Sequence, residues 1–188
     1  MTSSRSTTDS RSTGSRTTLR VRLEKPNIDR EEEFLAAERC SRKLHATWVS
    51  APASPEVYRA FLERMRRPSH RGHFVCRRDN DQLVGVVNVS EIVRGAFQSG
   101  YLGYYAFHPH EGQGLMTEGL TLALEHAFGT LGLHRLEANI QPENEASLRL
   151  VKSLGFRREG LSRRYLKIHG RWRDHERWAL LAEEWKAR

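Results

Sequence analysis

The chain has 188 residues, room for one domain with a real core, and its 38% apolar content fits a soluble globular protein. No apolar run reaches bilayer length, no segment has the apolar centre of a signal peptide and no internal repeat is visible, which argues against a membrane protein or a repeat array. Lys and Arg outnumber Asp and Glu by 31 to 23; this excess suits a ligand with several phosphates or a nucleoprotein partner. No basic stripe interleaved with aromatics points to direct sequence reading of nucleic acid.

Met1 to Thr18 are almost all Ser, Thr, Arg and Gly, too polar to offset the entropy of ordering, so the segment is expected to be a disordered tail carrying +2 of the net +8 through Arg5, Arg11 and Arg16 against Asp9. The domain is expected over 19–188. Leu19 to Leu23 alternates as a first strand. Asp29 is expected to cap a helix reaching about Cys40, with Glu31 to Glu33 in its first turn where they suit the helix dipole. Leu44 and Trp48 then fall in a loop, and Ser54-Pro55-Glu56 opens a second helix through Met65. His73 to Cys76 and Leu83 to Val89 flank the turn Asp79-Asn80-Asp81 and form a hairpin. Cys40 and Cys76 have neither a disulfide framework nor metal spacing, which suits a reducing, cytoplasmic compartment.

Arg94 to Phe97 turns into the aromatic strand Tyr101 to Phe107, which His108-Pro109 ends. Glu111-Gly112-Gln113-Gly114 leads into a helix whose apolar positions run from Met116 through Leu120, Ala123, Leu124 and Phe128. Two glycines let a ligand approach the backbone, and the unpaired N–H groups of a first helical turn attract anions. On these residues alone, a phosphate cradle and a ligand-free connection both stand. Leu136 to Ile140 is a further strand, stopped by Pro142. Asn144 is placed to cap a helix that buries Leu148, Val151 and Leu154 and ends at Gly155, with Ser147 three residues in. Tyr165 to Ile168 and Arg177 to Leu181 bracket His169 to Asp174 as a last hairpin. The order gives an α/β architecture, a mixed sheet with helices on both faces.

Gly112-x-Gly114-Leu115-Met116-Thr117-Glu118, the spacing to Asn144-x-x-Ser147 and the ending Leu154-Gly155-Phe156 resemble the Gcn5-related N-acetyltransferases. Val93-Arg94-Gly95, Tyr101 to Tyr104, His134-Arg135 and Gly170-x-Trp172-Arg173-Asp174-His175 are similar to the bacterial ribosomal-protein alanine N-acetyltransferases of the Rim type, and the likeness runs roughly from Leu19 to Trp185. It implies a largely antiparallel sheet splayed between strands 4 and 5, where acetyl-coenzyme A enters the gap. The backbone of Tyr105, Ala106 and Phe107 would pair with the pantetheine arm. The N–H groups from Gly112 through Gln113, Gly114, Leu115 and Met116 to Thr117 would hold the pyrophosphate, and Asn139, Asn144 and Ser147 would complete the cofactor site. Two positions depart from the family: Glu111 replaces Gln or Arg, and Met116 replaces a small residue.

The chemistry implied is attack of an amine on a thioester, which needs a neutral amine, an oxyanion donor and a proton for the leaving thiolate. The donor is expected from a backbone N–H near Phe107. Ser147 is the candidate for the thiolate, because Val151 occupies the position where many relatives have tyrosine. Glu137, on one strand face with Asn139, is the candidate base, with a surface ion pair as its alternative role. His108 and His110 beside the turn are open to an acid-base reading as well. Trp48, Arg94, Tyr104 and Asp174 would line the acceptor site. The nine histidines have no ligand spacing, so no metal is expected. Three functions stay open: acetylation of a protein N-terminal alanine, chiefly of a ribosomal protein, by a monomer or homodimer; acetylation of a polyamine, aminoglycoside or amino acid; and non-catalytic sensing of acyl-coenzyme A.

Overall fold

In the computed structural model, residues 19–187 are described, and the tail reading for Met1 to Thr18 lies outside them. Among the described residues, seven strands form one sheet in the order β1-β2-β3-β4-β5-β7-β6. They are β1 Val21–Glu24, β2 Arg71–Arg77, β3 Leu83–Val93, β4 Ser99–Ala106, β5 Arg135–Ile140, β6 Arg157–Ile168 and β7 Arg171–Leu181. All neighbours are antiparallel except β4 and β5, which run parallel because the connection between them is a crossover. That connection contains helix α3, Leu115–Glu125, which continues as a π-helical turn over His126–Thr130.

The remaining helices are α1 Glu31–His45, α2 Pro55–Met65, α4 Glu145–Ser153 and the short α5 Ala182–Lys186. The two-residue period of the strands divides the core. Phe74, Cys76, Val86 and Phe107 face α1 and α2, where Phe34, Tyr58 and Phe61 meet them. Val75, Val87, Leu136, Ala138 and Leu180 face the opposite side and pack with Leu120, Leu124 and Val151 of α3 and α4. The helices thus cover both faces, as expected.

Three sequence expectations change. Asp29 caps nothing: it lies inside a 3-10 turn, Ile28–Arg30, that precedes α1, and no side chain caps α1. That helix also runs past Cys40 to His45, so Leu44 belongs to its last turn; Arg42 and Lys43 there complement the helix dipole. The final hairpin is longer than its apolar segments suggest. β6 and β7 pair from Arg157 and Ala179 to Ile168 and Arg171, and the connection is only His169-Gly170.

Candidate active site

The parallel pairing of β4 with β5 is short. Ser99, Gly100 and Tyr101 pair with Arg135, Leu136 and Glu137, and beyond them the strands separate although each continues. On its other edge β4 stays paired with β3 up to Ala106. Phe107 donates its N–H to the Val84 carbonyl at 2.7 Å. Alternation along an antiparallel ladder then turns the amides of Tyr105 and Phe107 toward β3, and those of Leu102, Tyr104 and Ala106 toward the gap. The expected oxyanion donor is corrected accordingly: the Phe107 amide is committed to β3 and its side chain is fully buried. The donors on the open edge are Tyr104 and Ala106.

A cleft of about 650 Å³ opens along this edge, from Gly112, Gly114 and Thr117 at one end to Trp48 and His175 at the other. At the first end Gly114 is the N-cap residue of α3 with φ of 77°, a conformation natural to glycine, and no side chain caps the helix. The first amides of α3 are therefore presented without a capping side chain, as anion binding requires. The side chains of Gln113 and Leu115 turn elsewhere: Gln113 donates to the Pro109 carbonyl, and Leu115 is in the core. Met116 is explained by its neighbour, since a Cβ on Gly85 would lie 2.6 Å from the Met116 sulfur. The glycine in β3 makes the room that a small residue at 116 would otherwise leave. Glu111 accepts from His108 Nδ1 at 2.9 Å, and this contact chiefly holds its carboxyl below the usual range. Arg20 donates to the Gln113 carbonyl at 3.0 Å and is ion-paired with Glu118 of α3, while Arg149 of α4 lines the cleft; the sequence marked neither as a site residue.

Asn144 caps α4 as expected, its Oδ1 accepting from the Ser147 N–H at 3.2 Å. Ser147 lines the cleft, and Tyr104 reaches it from β4, donating its hydroxyl to the Ser147 carbonyl at 3.3 Å. Tyr104 was expected among the acceptor residues; its side chain lies instead with the α3 and α4 core, opposite the face where α1 sits. Burial pushes its phenol up to about 12, so it keeps its proton at neutral pH.

The structure separates the other predicted residues. Glu137 sits where β4 and β5 are still paired, accepts from Arg135 Nε at 2.9 Å, and does not line the cleft, which fits its ion-pair alternative. Arg94 lies at the opposite end of β4, donating to the Leu131 carbonyl. Trp48 lines the cleft and also a second cavity of about 400 Å³, which contains Asp174 together with Gln141, Glu143 and Trp172. Asp174 Oδ1 accepts from the Arg164 amide at 2.8 Å. Among the buried histidines of the cleft, His45 carries no signal in the linear sequence, and His175 stands there only as the last residue of the Gly170-x-Trp172-Arg173-Asp174-His175 likeness. His45 Nε2 donates to the Ala106 carbonyl at 2.8 Å and so secures one acceptor of the open edge to α1.

Eight buried side-chain polar atoms among the described residues lack a hydrogen-bond partner, and four belong to cleft-lining residues: His45 Nδ1, Tyr105 Oη, His110 Nδ1 and Asn139 Oδ1. Each such atom costs about 1–3 kcal/mol, and their concentration here puts uncompensated polar atoms in the walls of the cleft. An open strand edge for amides, an uncapped helix N-terminus for phosphate and an apolar-walled gap between them match the parts of acetyl-coenzyme A.

The chain matches the acetyltransferase (GNAT) domain family over residues 20–157. It is 37% identical over 121 residues to a probable N-acetyltransferase of Bacillus subtilis, spanning 64% of this chain and 67% of the relative. It is 43% identical over 107 residues to a ribosomal protein uS5 alanine N-acetyltransferase of Escherichia coli, spanning 57% of this chain and 55%, about half, of that relative's length. Among solved structures it superposes on RimJ of Mycobacterium smegmatis in complex with CoA-disulfide with TM-score 0.80 and 26% identity, covering 87% of this chain and 83% of the other. A spermidine N-acetyltransferase from Vibrio cholerae in complex with CoA and spermine shares the fold with TM-score 0.76 at 21% identity, covering 89% and 98%.

Proposed function

The chain belongs to the acetyltransferase (GNAT) family, and on that premise we propose that it transfers an acetyl group from acetyl-coenzyme A to the α-amine of a protein N-terminus, an alanine of a ribosomal protein in the first place. The observation that carries the acetyl-coenzyme A part is the open edge of β4 leading to the uncapped start of α3. The 43% identity to the uS5 alanine acetyltransferase supports the acceptor.

Bound in the cleft, acetyl-coenzyme A supplies the activated acetyl group. The amides at the start of α3 hold its phosphates, and the N–H groups of Tyr104 and Ala106 offer hydrogen bonds along the open edge. Tyr104 and Ser147 stand together on the α4 side, where a phenol that keeps its proton can stabilise or protonate a departing thiolate. Trp48 and the second cavity form the approach for the amine from the α1 side.

Acetylation of a polyamine is the second reading, favoured by the carboxylates of Glu143 and Asp174 in that cavity. Thiol release with an alanine-starting uS5 peptide and with spermidine separates the two. Release with the peptide alone is expected; release with spermidine alone moves the function to small amines. Acetyl-coenzyme A binding without release on any amine favours a sensor.

A further inference from the structure

Resting on the transferase reading, we propose that His175 is the general base that accepts the proton of the attacking amine. Among ionisable side chains of the cleft, it is the one left after the others are placed. Tyr104 and Tyr105 are pushed up by burial and hold their protons. Glu111 is engaged by His108 at the phosphate end, and Arg149 is a cation paired with Glu145. His45 spends Nε2 on the Ala106 carbonyl, and its Nδ1 is sealed from the cleft by burial. His110 has its Nδ1 sealed and stands beside Glu111 and Gly112 at the phosphate end of the cleft, away from the amine's approach.

His175 differs from these. Its Nδ1 lies 3.0 Å from the Arg173 carbonyl, which can only accept, so Nδ1 carries the hydrogen and Nε2 keeps its lone pair. No partner for Nε2 is found among the described residues, and Nε2 is not one of the sealed atoms. The ring is only 3% exposed, is flanked by the Tyr165 ring at 6.0 Å and lines the cleft. A hydrogen bond from one nitrogen to a fixed carbonyl sets the tautomer and aims the other, as a base needs. In the strand register, Glu176 pairs with Ile140, which puts His175 level with Gln141. Gln141 and Trp48 line both the cleft and the second cavity, so His175 stands where an amine crosses from one to the other.

Burial is the main influence that lowers the affinity of this imidazole for a proton; the Arg173 carbonyl, Asp174 on its own strand and Glu143 from the β5–α4 connection oppose it. Arg177 lies two residues along on the same strand face. The imidazole is thereby neutral at physiological pH and available as an acceptor. As the amine nitrogen bonds to the acetyl carbon, its proton passes to Nε2. The carbon–sulfur bond breaks with its electron pair on sulfur, which takes a proton from the Tyr104 and Ser147 side. His175 returns its proton to solvent, the donor hydroxyl regains one from solvent, and the products are the amide and free thiol.

The test uses the full chain and the alanine-starting peptide. His175→Asn keeps a donor for the Arg173 carbonyl and removes Nε2. It is expected to lower kcat about 100-fold or more while the calorimetric acetyl-coenzyme A affinity stays within twofold. Wild-type kcat should fall toward acid pH along a one-proton limb that the variant lacks. A variant with kcat within threefold of wild type and the same limb overturns the assignment. So does a wild-type profile without an acid limb, whatever becomes of the variant's folding. Absence of wild-type turnover on any amine overturns the transferase reading instead, which keeps the two failures apart.

Discussion

At the scale of single residues, we propose that Tyr104 and Ser147 share the protonation of the leaving thiolate in place of a tyrosine at position 151. Val151, fully buried in the core, leaves that position without a proton donor, and Tyr104 arrives from β4 to within hydrogen-bond distance of Ser147. A hydrogen bond to a charged group is worth about 1.5–3 kcal/mol, roughly 10- to 150-fold in rate. Tyr104→Phe and Ser147→Ala should therefore each reduce kcat by about tenfold or more and leave acetyl-coenzyme A binding nearly unchanged. The double variant should fall short of the product of the two, because both act on the same atom. Independent, fully multiplicative losses measured in single-turnover thiol release would separate their roles. Ser147 was legible in the sequence as a spacing from Asn144. The placement of Tyr104 beside Ser147 was not, since it depends on which face of β4 the side chain takes and how α4 docks.

At the scale of elements, α3 is fitted to the sheet by two local contacts. One is the pocket made by Gly85: an added Cβ would lie 2.4 Å from the Tyr105 carbonyl oxygen and 2.6 Å from Met116 sulfur. Gly85→Ala is expected to cost about 2 kcal/mol in a urea-unfolding measurement through overpacking. Trimming Met116 to Ala in the same chain should recover only part of this, because the backbone oxygen stays. The other contact joins β2 to the end of α3, where His126 Nδ1 lies 3.1 Å from His73 Nε2. One nitrogen must donate and the other accept, so the pair tolerates no second proton. Burial, aided by His126, lowers His73 to about 4. With the folded value below the unfolded one of about 6.5, stability from this group is complete above pH 6.5 and declines as the pH falls toward 4. The decline should be on the order of 2 kcal/mol, and replacing His73 with Asn should flatten it in urea midpoints compared at pH 7 and pH 4.5. An equally steep fall in that variant would place the acid sensitivity elsewhere. Helix boundaries were legible where a local signal fixes them, as Ser54 does for α2 by accepting from the Val57 amide. They were not where a tertiary contact decides, as at the end of α1, which extends to the residue that bonds the Ala106 carbonyl.

At the scale of the whole molecule, the order of strands and helices could be read because each strand facing a helix alternates or carries a buried apolar run. β6 does not: most of its residues are exposed, with Arg157, Arg158, Arg163, Arg164 and Lys167 among them, and a strand without a buried face leaves little trace in the sequence. The same limit explains the base. Glu137 was conspicuous as an acid on a strand, but register places it where β4 and β5 are joined, whereas His175 is brought to the cleft by the pairing of β7 with β5. Register couples residues far apart in the chain, and no spacing along it reports that coupling. What the glycines announced locally is a turn from strand to helix, and the structure has Gly114 at the N-cap of α3 with positive φ and no capping side chain. The most direct test of the account is a calorimetric titration of the protein with acetyl-coenzyme A, beside Gly114→Val. The wild type should bind one equivalent per chain, and the variant, whose β-branched side chain is strained at φ of 77°, should bind at least tenfold more weakly at unchanged fold by circular dichroism. No binding by the wild type, or equal binding by both, would contradict a phosphate cradle at the start of α3.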